Sequence, residues 1–253
     1  MSDVLLAASA VTRRFGGLTA VNGVSLELQR GQVHAVIGTN GAGKSTLINI
    51  LSGELTASSG QVTLAGRDIT TWPQPERARA GLGRSYQRST IFPELSVFEN
   101  CRLAAQASRQ RFWHWWRDAA SCRRSADLAA EALDRTGLAA DARQPAGLLA
   151  HGRKRQLEIA MCLAGEPQVL LLDEPLAGMG PEETDRILDL LQTLKAGHAI
   201  LLVEHDMDAV FRIAETITVM VNGSAIASGA PAQIRANPEV RTAYLGEDGQ
   251  GAH

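Results

Sequence analysis

The stretch VIGTNGAGKST, residues 36–46, contains the spacing G-x-x-x-x-G-K-S, with Gly38, Gly43, Lys44 and Ser45 at the fixed positions. An apolar segment precedes it and STLINILSG follows, so the pattern predicts a buried strand, a glycine loop and a helix. Glycines let main-chain N–H groups approach phosphate oxygens, lysine reaches the terminal phosphates and the serine hydroxyl coordinates Mg²⁺. We expect ATP to contact Gly38, Thr39, Asn40, Gly41, Ala42, Gly43, Lys44, Ser45 and Thr46.

The second half of such a site is an acidic residue at the end of a buried strand, and QVLLLDEP (168–175) supplies it. Four apolar residues end at Asp173 and Glu174, which places both acids at the carboxyl edge of a parallel sheet. We expect Asp173 to hold Mg²⁺, through water, and Glu174 to activate the attacking water. Together the two motifs predict a nucleoside triphosphatase.

Composition sets the limits for this hypothesis. The chain has 253 residues, a net charge of −2 and 45% hydrophobic residues, so it can bury a large core and is not built to coat nucleic acid. The three cysteines, Cys101, Cys122 and Cys162, have no metal-binding spacing and are expected to be reduced thiols. No signal peptide or membrane-spanning length is present in the sequence, so we expect a soluble, cytoplasmic chain.

The order of the segments predicts one α/β domain. Residues 1–36 are typical of strands and turns, with turn signals at Asn22-Gly23 and Arg30-Gly31, and GQVTLAGRDIT (60–70) predicts a short hairpin. From about 88 to 160 the sequence is helical and rich in arginine. After residue 168 strands and helices alternate, which indicates a parallel sheet covered on both faces.

Further motifs, taken in order, resemble the ATP-binding cassette (ABC) family. The motifs are RRFGG (13–17), GTNGAGKST (38–46), RSYQR (84–88), LAHGR (149–153), LLLDEP (170–175), LAGMGP (176–181) and LLVEHD (201–206). The resemblance covers essentially the whole chain. It implies that Phe15 stacks on adenine, that Gln87 reaches Mg²⁺ and the attacking water, and that His205 bonds the γ-phosphate and holds that water.

The resemblance also implies the architecture. It is a P-loop α/β core with an antiparallel β subdomain and an inserted helical subdomain, in one ATP-binding domain over 1–253. The approximate parts are 1–87 (β and phosphate loop), 88–160 (helical insertion with the signature motif), 161–225 (rest of the core) and 226–253 (C-terminal tail).

Within the family, the phosphate-loop helix, LAHGRKRQLEIAMCLA, LLVEHDMDAVF and the ending PAQIRANPEVRTAYLG resemble the LivG-type ATPases of branched-chain amino acid importers and their urea or amide relatives. This implies a second, different ATP-binding subunit, two membrane permeases and, indirectly, a substrate-binding protein. It places the chain peripherally on the cytoplasmic face of the cell membrane. No nucleic-acid partner is expected.

The signature segment departs from the family pattern. In the family this segment of one subunit faces the γ-phosphate held by the other, a role carried here to Ala150, His151, Gly152 and Arg153. Ala150, His151 and Arg153 stand where the family usually has serine, glycine and glutamine. In the later motif LAGMGP, Gly180 stands where the family usually has an aspartate. Arg153 or Arg155 is expected to add attraction for that phosphate. In a pair of such subunits, each ATP is expected to lie between the phosphate loop of one subunit and the signature segment of the other. We hypothesise that the two sites formed in this way are unequal.

Two other functions stay open at this stage. One is a soluble ABC ATPase acting on nucleic acid or ribosomes, and the other is a weakly active nucleotide-binding regulator. The segment 86–100 is the candidate for contact with a permease. Trp113, Trp115 and Trp116 are assigned either to such a contact or to local packing of the inserted helices.

Overall fold

The computed structural model describes residues 4–87, 90–109 and 123–248. The strands, numbered along the chain, are β1 Val4–Phe15, β2 Leu18–Gln29, β3 Val33–Gly38, β4 Ser59–Leu64, β5 Arg67–Asp68, β6 Leu82–Arg84, β7 Val169–Asp173, β8 Ala199–Val203, β9 Thr216–Val221 and β10 Ser224–Gly229. The helices are α1 Lys44–Ser52, α2 Gln74–Arg79, α3 Val97–Arg109, α4 Arg123–Arg135, α5 His151–Leu163, α6 Pro181–Leu194, α7 Met207–Ile213, α8 Pro231–Ala236 and α9 Pro238–Asp248. The tryptophans at 113, 115 and 116 lie outside the described residues, so both assignments for them stay predictions.

The central layer of the described chain is a six-stranded sheet in the order β10-β9-β3-β8-β7-β6. The strands from β9 to β6 run parallel, and β10 is antiparallel to β9. Every residue of β3, β7 and β8 is buried, which fits strands covered on both faces. The parallel arrangement predicted from the alternating segments is confirmed, and it brings the carboxyl ends of these three strands to one edge.

A second sheet, of four antiparallel strands in the described part of the chain, has the order β2-β1-β4-β5. The predicted 60–70 hairpin corresponds to β4 and β5. The predicted turn at Asn22-Gly23 is wrong, because both residues lie inside β2. They form a bulge opposite Thr12: Gly23 takes a left-handed φ of +64° and donates its N–H to the Thr12 hydroxyl at 3.0 Å.

The helical part packs α3, α4 and α5 against one another and against α6 and β7 through one hydrophobic cluster. The amphipathic pattern of α4 explains this placement, since Leu128, Ala129, Ala132 and Leu133 are buried on one face. A second cluster joins the antiparallel sheet, α1 and the other face of the central sheet. The two subdomain cores therefore meet on the central sheet.

His34 in β3 is a structural histidine, as its position inside a strand predicts. It is buried, its Nδ1 donates to the Glu27 carbonyl at 2.9 Å, and its Nε2 lies 2.8 Å from the Thr218 hydroxyl. Burial lowers the pKa of His34 below its ordinary value of 6.5, and the bond to Glu27 opposes this shift.

We expect the unfolding free energy to fall as the pH is lowered from 7.5 through 6.5. The folded state keeps His34 neutral whereas the unfolded chain takes up the proton below about 6.5, so stability from this group is present above that pH and lost below it. Each such group adds a slope of up to about 1.4 kcal/mol per pH unit. Urea titrations of wild type and His34→Gln at several pH values test this, and an unchanged slope in the variant contradicts it. His198, also buried with a lowered pKa, supplies a second variant of the same kind.

Candidate active site

The phosphate loop joins the buried β3 to α1. Lys44 is buried, and its ammonium group donates to the carbonyl oxygens of Gly38 at 2.6 Å and Thr39 at 3.1 Å. Gly41 and Gly43 have φ values of +82° and +98°, the left-handed region that glycine adopts without strain. Gly43 is the N-cap of α1, so the first N–H groups of the helix face the loop with no side-chain cap.

Two of the loop glycines are required by close main-chain contacts. A Cβ at Gly43 would lie 2.3 Å from the Ala20 carbonyl oxygen, and one at Gly38 would lie 2.4 Å from that of Met220. The loop is also tied to the β9–β10 turn, where the Gly223 N–H donates to the Ala42 carbonyl at 3.0 Å. The loop is therefore held by two neighbouring segments as well as by its own hydrogen bonds.

An open cleft of about 560 Å³ lies over this loop. Its lining residues are Phe15, Leu18, Thr19, Ala20, Asn40, Gly41, Ala42, Gly43, Lys44, Ser45, Thr46, Gln87, Glu174, Asn222 and Gly223. Phe15 is 43% exposed, and the Arg13 guanidinium lies over its ring at 4.6 Å from the centroid. The structure thus brings the predicted aromatic residue, the phosphate loop, Gln87 and Glu174 to one cleft.

Two polar side chains lie close to the carboxylate of Glu174. Gln87 Nε2 donates to Glu174 Oε2 at 3.0 Å, and His205 Nδ1 lies 4.0 Å from Glu174 Oε1. Glu174 directly follows β7 with a φ of +49°, a conformation that costs a non-glycine residue roughly 1–2 kcal/mol. The N–H of Glu174 donates to the Val203 carbonyl at 2.9 Å, which holds this conformation at the sheet edge.

Asp173 ends β7 and is 5% exposed. Burial raises the pKa of Asp173, and the Arg84 guanidinium, 3.8 Å away, opposes this shift. Burial also lowers the pKa of Lys44, whereas the carboxylates of Glu174 and Asp173 favour its charged form. The site therefore holds charges of both signs in a largely water-excluded place.

The donor set suits Mg²⁺ bound together with a phosphate group. Ser45 offers a hydroxyl, Gln87 an amide and Asp173 a carboxylate, all oxygen ligands of the kind that Mg²⁺ prefers. In the described part of the chain no three His, Cys, Asp or Glu side chains cluster as a metal cage. Because Mg²⁺ is commonly bound by one or two carboxylates plus substrate phosphates, the residues present fit this ion.

The signature residues lie apart from this cleft, and none of the four lines it. Ala150 is the N-cap of α5 without a side-chain cap. Exposed His151 places Nε2 3.1 Å from the Ala177 carbonyl, and the N–H of Gly152 donates to Glu183 Oε1 at 3.2 Å. An anion from this chain, the carboxylate of Glu183, therefore faces the basic N-terminus of α5.

Two arginines of this helix, Arg153 and Arg155, form ion pairs within the chain. Arg153 forms an ion pair with Asp141 at 2.6 Å. The expectation that Arg155 attracts an external phosphate is wrong, because Arg155 is buried and pairs with Glu158 at 2.8 Å. Its guanidinium also donates to the carbonyls of Tyr86 and Gln87 at 3.1 and 3.0 Å. Arg155 thus holds the segment that carries Gln87.

Sequence reasoning missed Glu204, although it directly follows five buried aliphatic residues and precedes His205. It is fully buried and accepts the N–H groups of Leu176 at 2.8 Å and His205 at 3.2 Å. Burial raises the pKa of Glu204, and these two hydrogen bonds oppose the shift. Glu204 therefore connects the segment that carries His205 to the segment that follows Glu174.

The family model described as "ABC transporter" matches residues 21–177, more than half of the chain, and includes the phosphate loop and both acidic residues of 173–174. The chain belongs to the ABC transporter family. It is an ATPase of the transport-coupled kind. A second model, described as "Branched-chain amino acid ATP-binding cassette transporter", matches residues 226–250.

Proteins that the chain matches over their full length are named as transport ATP-binding proteins. The chain is 41% identical over 98% of its length, and 100% of theirs, to the high-affinity branched-chain amino acid transport ATP-binding proteins LivG of Salmonella typhimurium and of Escherichia coli K12. The same figures hold for BraF of Pseudomonas aeruginosa. These relatives favour a transport ATPase over an ATPase that acts on nucleic acid or ribosomes.

Solved structures show the same fold over nearly the whole chain. A nucleotide-free ATP-binding cassette of an ABC transporter superimposes with a TM-score of 0.86 at 29% identity, covering 95% of this chain and 98% of that one. The ADP conformation of an ATP-binding cassette gives 0.85 at 29% identity, covering 96% and 99%. The predicted fold class is therefore confirmed. In the described ranges no helix combines the length and the apolar character needed to cross a bilayer.

The loop geometry predicts unequal effects of alanine at two glycines. Gly41→Ala meets only the strain of its positive φ, and we expect it to lower the unfolding free energy by about 1–2 kcal/mol. Gly43→Ala adds the contact with the Ala20 carbonyl, so we expect a clearly larger loss together with loss of ATP binding. Urea denaturation and titration calorimetry measure both, and equal losses of stability would contradict the contact-based explanation.

Proposed function

We propose that this ATPase is the energy-supplying subunit of an importer for branched-chain amino acids. The match of residues 226–250 to the branched-chain cassette model carries the choice of solute, because the nucleotide site itself is common to the whole family. The full-length relatives, named as branched-chain amino acid transport proteins, support it. The subunit contributes ATP-driven conformational change and has no contact with the solute.

ATP binds in the cleft over the phosphate loop. Adenine stacks on the exposed face of Phe15, whose other face is covered by Arg13, and Arg13 is fixed by its bond to the Thr56 carbonyl at 2.7 Å. The phosphates take the N–H groups of the loop and the ammonium of Lys44, which exchanges its bonds to Gly38 and Thr39 for phosphate oxygens. Residues 38–46 together form this cradle.

Ser45 and Gln87 would hold Mg²⁺ directly, and Asp173 would hold it through water. When bound, the ion neutralises charge on the phosphate oxygens. The protein's own contribution is to place a hydroxyl, an amide and a buried carboxylate around the terminal phosphates. The three groups lie on α1, on the segment after β6 and on β7. These elements meet at the carboxyl edge of the central sheet.

Hydrolysis is assigned to Glu174, supported by Gln87 and His205. Glu174 accepts the proton of the attacking water, since it is the carboxylate that opens onto the cleft. Gln87 orients that water and the Glu174 carboxylate through the 3.0 Å bond. His205, whose side chain is 60% exposed beside Glu174, bonds the γ-phosphate.

The proposed assembly contains a second, different ATP-binding subunit. Residues 150–153 of this chain contact the nucleotide of that partner, which accords with their position outside this chain's own cleft. The signature has Ala150 where the family pattern has serine, so the two composite sites differ in strength. Loss of one hydrogen bond to a charged group weakens a contact by roughly 1.5–3 kcal/mol.

Two permeases receive the movement, and a substrate-binding protein acts on them from the other side of the membrane. A groove of about 360 Å³ lies between α2, β6, α3 and α5 and is walled in part by Tyr86, which precedes Gln87. Beyond it, Phe92 and Leu148 are 52% and 74% exposed on neighbouring segments joined by the Gly147 N–H to Pro93 carbonyl bond. We place permease contact here and the subunit peripherally on the cytoplasmic face of the membrane.

Replacement of the proposed base tests the hydrolysis assignment. In Glu174→Gln the carboxylate is lost while the amide keeps the shape, so we expect ATP turnover to fall by about 10²- to 10⁴-fold with ATP binding retained. The matched control is Glu182→Gln, a carboxylate whose side chain is 91% exposed on α6. Turnover is measured as phosphate release, and wild-type turnover in Glu174→Gln would rule out this base.

The same variant tests the signature segment. Light scattering of Glu174→Gln with and without ATP-Mg²⁺ shows whether trapped ATP joins two copies. An ATP-dependent dimer means that residues 150–153 bind the nucleotide of a second copy, whereas a monomer throughout means that closure needs the different subunit.

The choice of solute is tested in cells. Introduction of Glu174→Gln into the chromosomal gene is expected to abolish uptake of radiolabelled leucine, isoleucine and valine, because the importer loses its energy supply. Urea uptake and a strain carrying Glu182→Gln are the controls. Loss of urea or acetamide uptake with leucine uptake intact would contradict the proposed solute and leave the ATPase assignment standing.

A further inference from the structure

Arg84 at the end of β6 is buried among polar side chains that belong to different parts of the active site. Its side chain is 6% exposed. One guanidinium nitrogen, Nη1, donates to the Ser52 hydroxyl at 2.5 Å and to Glu54 at 2.7 Å. The other, Nη2, donates to Asn49 Oδ1 at 2.5 Å and lies 3.8 Å from Asp173 Oδ2.

These partners connect the two halves of the nucleotide site. Asn49 and Ser52 lie on the last turns of α1, the helix that begins at the phosphate loop, and Asp173 ends β7. Arg84 itself precedes Gln87 by three residues. One guanidinium therefore joins the phosphate-loop helix, the metal-side carboxylate and the segment that carries the Gln87 amide.

The same side chain forms part of the wall of the groove between α2, β6, α3 and α5. Arg84, Ser52 and Tyr86 line this groove, and the guanidinium stacks on the Tyr86 ring at 4.6 Å from the centroid. Tyr86 is fixed in turn by a hydrogen bond from Gln74 of α2. One planar guanidinium therefore contacts both the groove wall and Asp173.

A comparison with Arg77 separates this role from simple structural support. Arg77 is also buried near the end of α1, but its donors go to main-chain carbonyls of Ile50, Leu51, Thr70 and Trp72. Arg84 gives its donors to side chains, and its buried Nε has no hydrogen-bond partner within the described residues. A buried donor without a hydrogen bond is costly. The position of Arg84 therefore keeps the hydrogen bonds of its two Nη atoms at the expense of one for Nε.

We propose that Arg84 is a positioning residue that orients the carboxylate of Asp173 for Mg²⁺-nucleotide and links that carboxylate to the wall of the groove. Groups that hold a metal-side carboxylate set its orientation, and their loss typically lowers metal affinity about 10- to 100-fold. The inference rests on the proposed role of Asp173 at the metal.

The test uses the full chain in the Glu174→Gln background, at a protein concentration at which light scattering shows monomers. ATP affinity is measured by calorimetry with Mg²⁺ and with EDTA, and the ratio of the two dissociation constants is the Mg²⁺-dependent gain. For Arg84→Gln and Arg84→Lys we expect this gain to fall about tenfold or more, with affinity in EDTA unchanged. Lysine keeps the charge but cannot reach Asn49, Ser52 and Asp173 together.

The matched control is Arg77→Lys, which is expected to lose stability in thermal unfolding but to keep the full Mg²⁺-dependent gain. An unchanged Mg²⁺-dependent gain in a folded Arg84 variant overturns the inference, because an arginine that only supports the fold gives that result. An increased gain also overturns it, because an arginine that only repels Mg²⁺ gives that result. If Arg84→Gln does not fold, Arg84→Lys decides alone. Asp173→Asn separates the two levels: a full gain in that variant overturns the metal role of Asp173 and the Arg84 inference with it.

Discussion

Complete burial of three neighbouring parallel strands is the constraint on which the site depends. β3, β8 and β7 are buried along their whole lengths and pair in parallel, so the chain leaves each of them at the same edge of the sheet. Residues that the nucleotide site needs lie at these strand ends or directly after them, at Gly38, Asp173 and Glu204. The apolar interior thus fixes the relative positions of residues that are 31 to 166 positions apart in the sequence.

This arrangement places ionisable groups where water is scarce, and the chain offsets the cost with specific partners. Lys44 is bonded to two loop carbonyls, Glu204 accepts two main-chain N–H groups, and Asp173 lies beside Arg84. A buried charge without such partners is strongly destabilising. The same contacts therefore stabilise the fold and hold the site in one geometry, so substitutions here affect stability and activity together.

Local sequence patterns were sufficient for the strand–loop–helix of residues 33–52, the buried β7 and the acids that follow it. The family resemblance added Phe15, Gln87 and His205, and the structure brings these to the same cleft or its edge. Contacts between distant segments could not be predicted. Asn22-Gly23 has the composition of a turn but is paired as a bulge, because β1 and the Gly223 carbonyl supply partners that a local pattern does not contain. Arg155 has the position of a phosphate ligand, yet Glu158 one helical turn later and the carbonyls of the 86–87 segment take its donors.

The carboxylate of Glu183 at the N-terminus of α5 affects how an external anion can bind at that helix end. The N–H group of Gly152 is not free there, since Glu183 Oε1 already accepts from it. Binding is consequently an exchange of one anion for another, and its free energy is a difference between two similar ion–dipole contacts. The strength of any external anion contact at this helix end is therefore reduced by the loss of the contact between Glu183 and Gly152. A carboxylate of the chain itself thus sets how strongly this helix end attracts other anions.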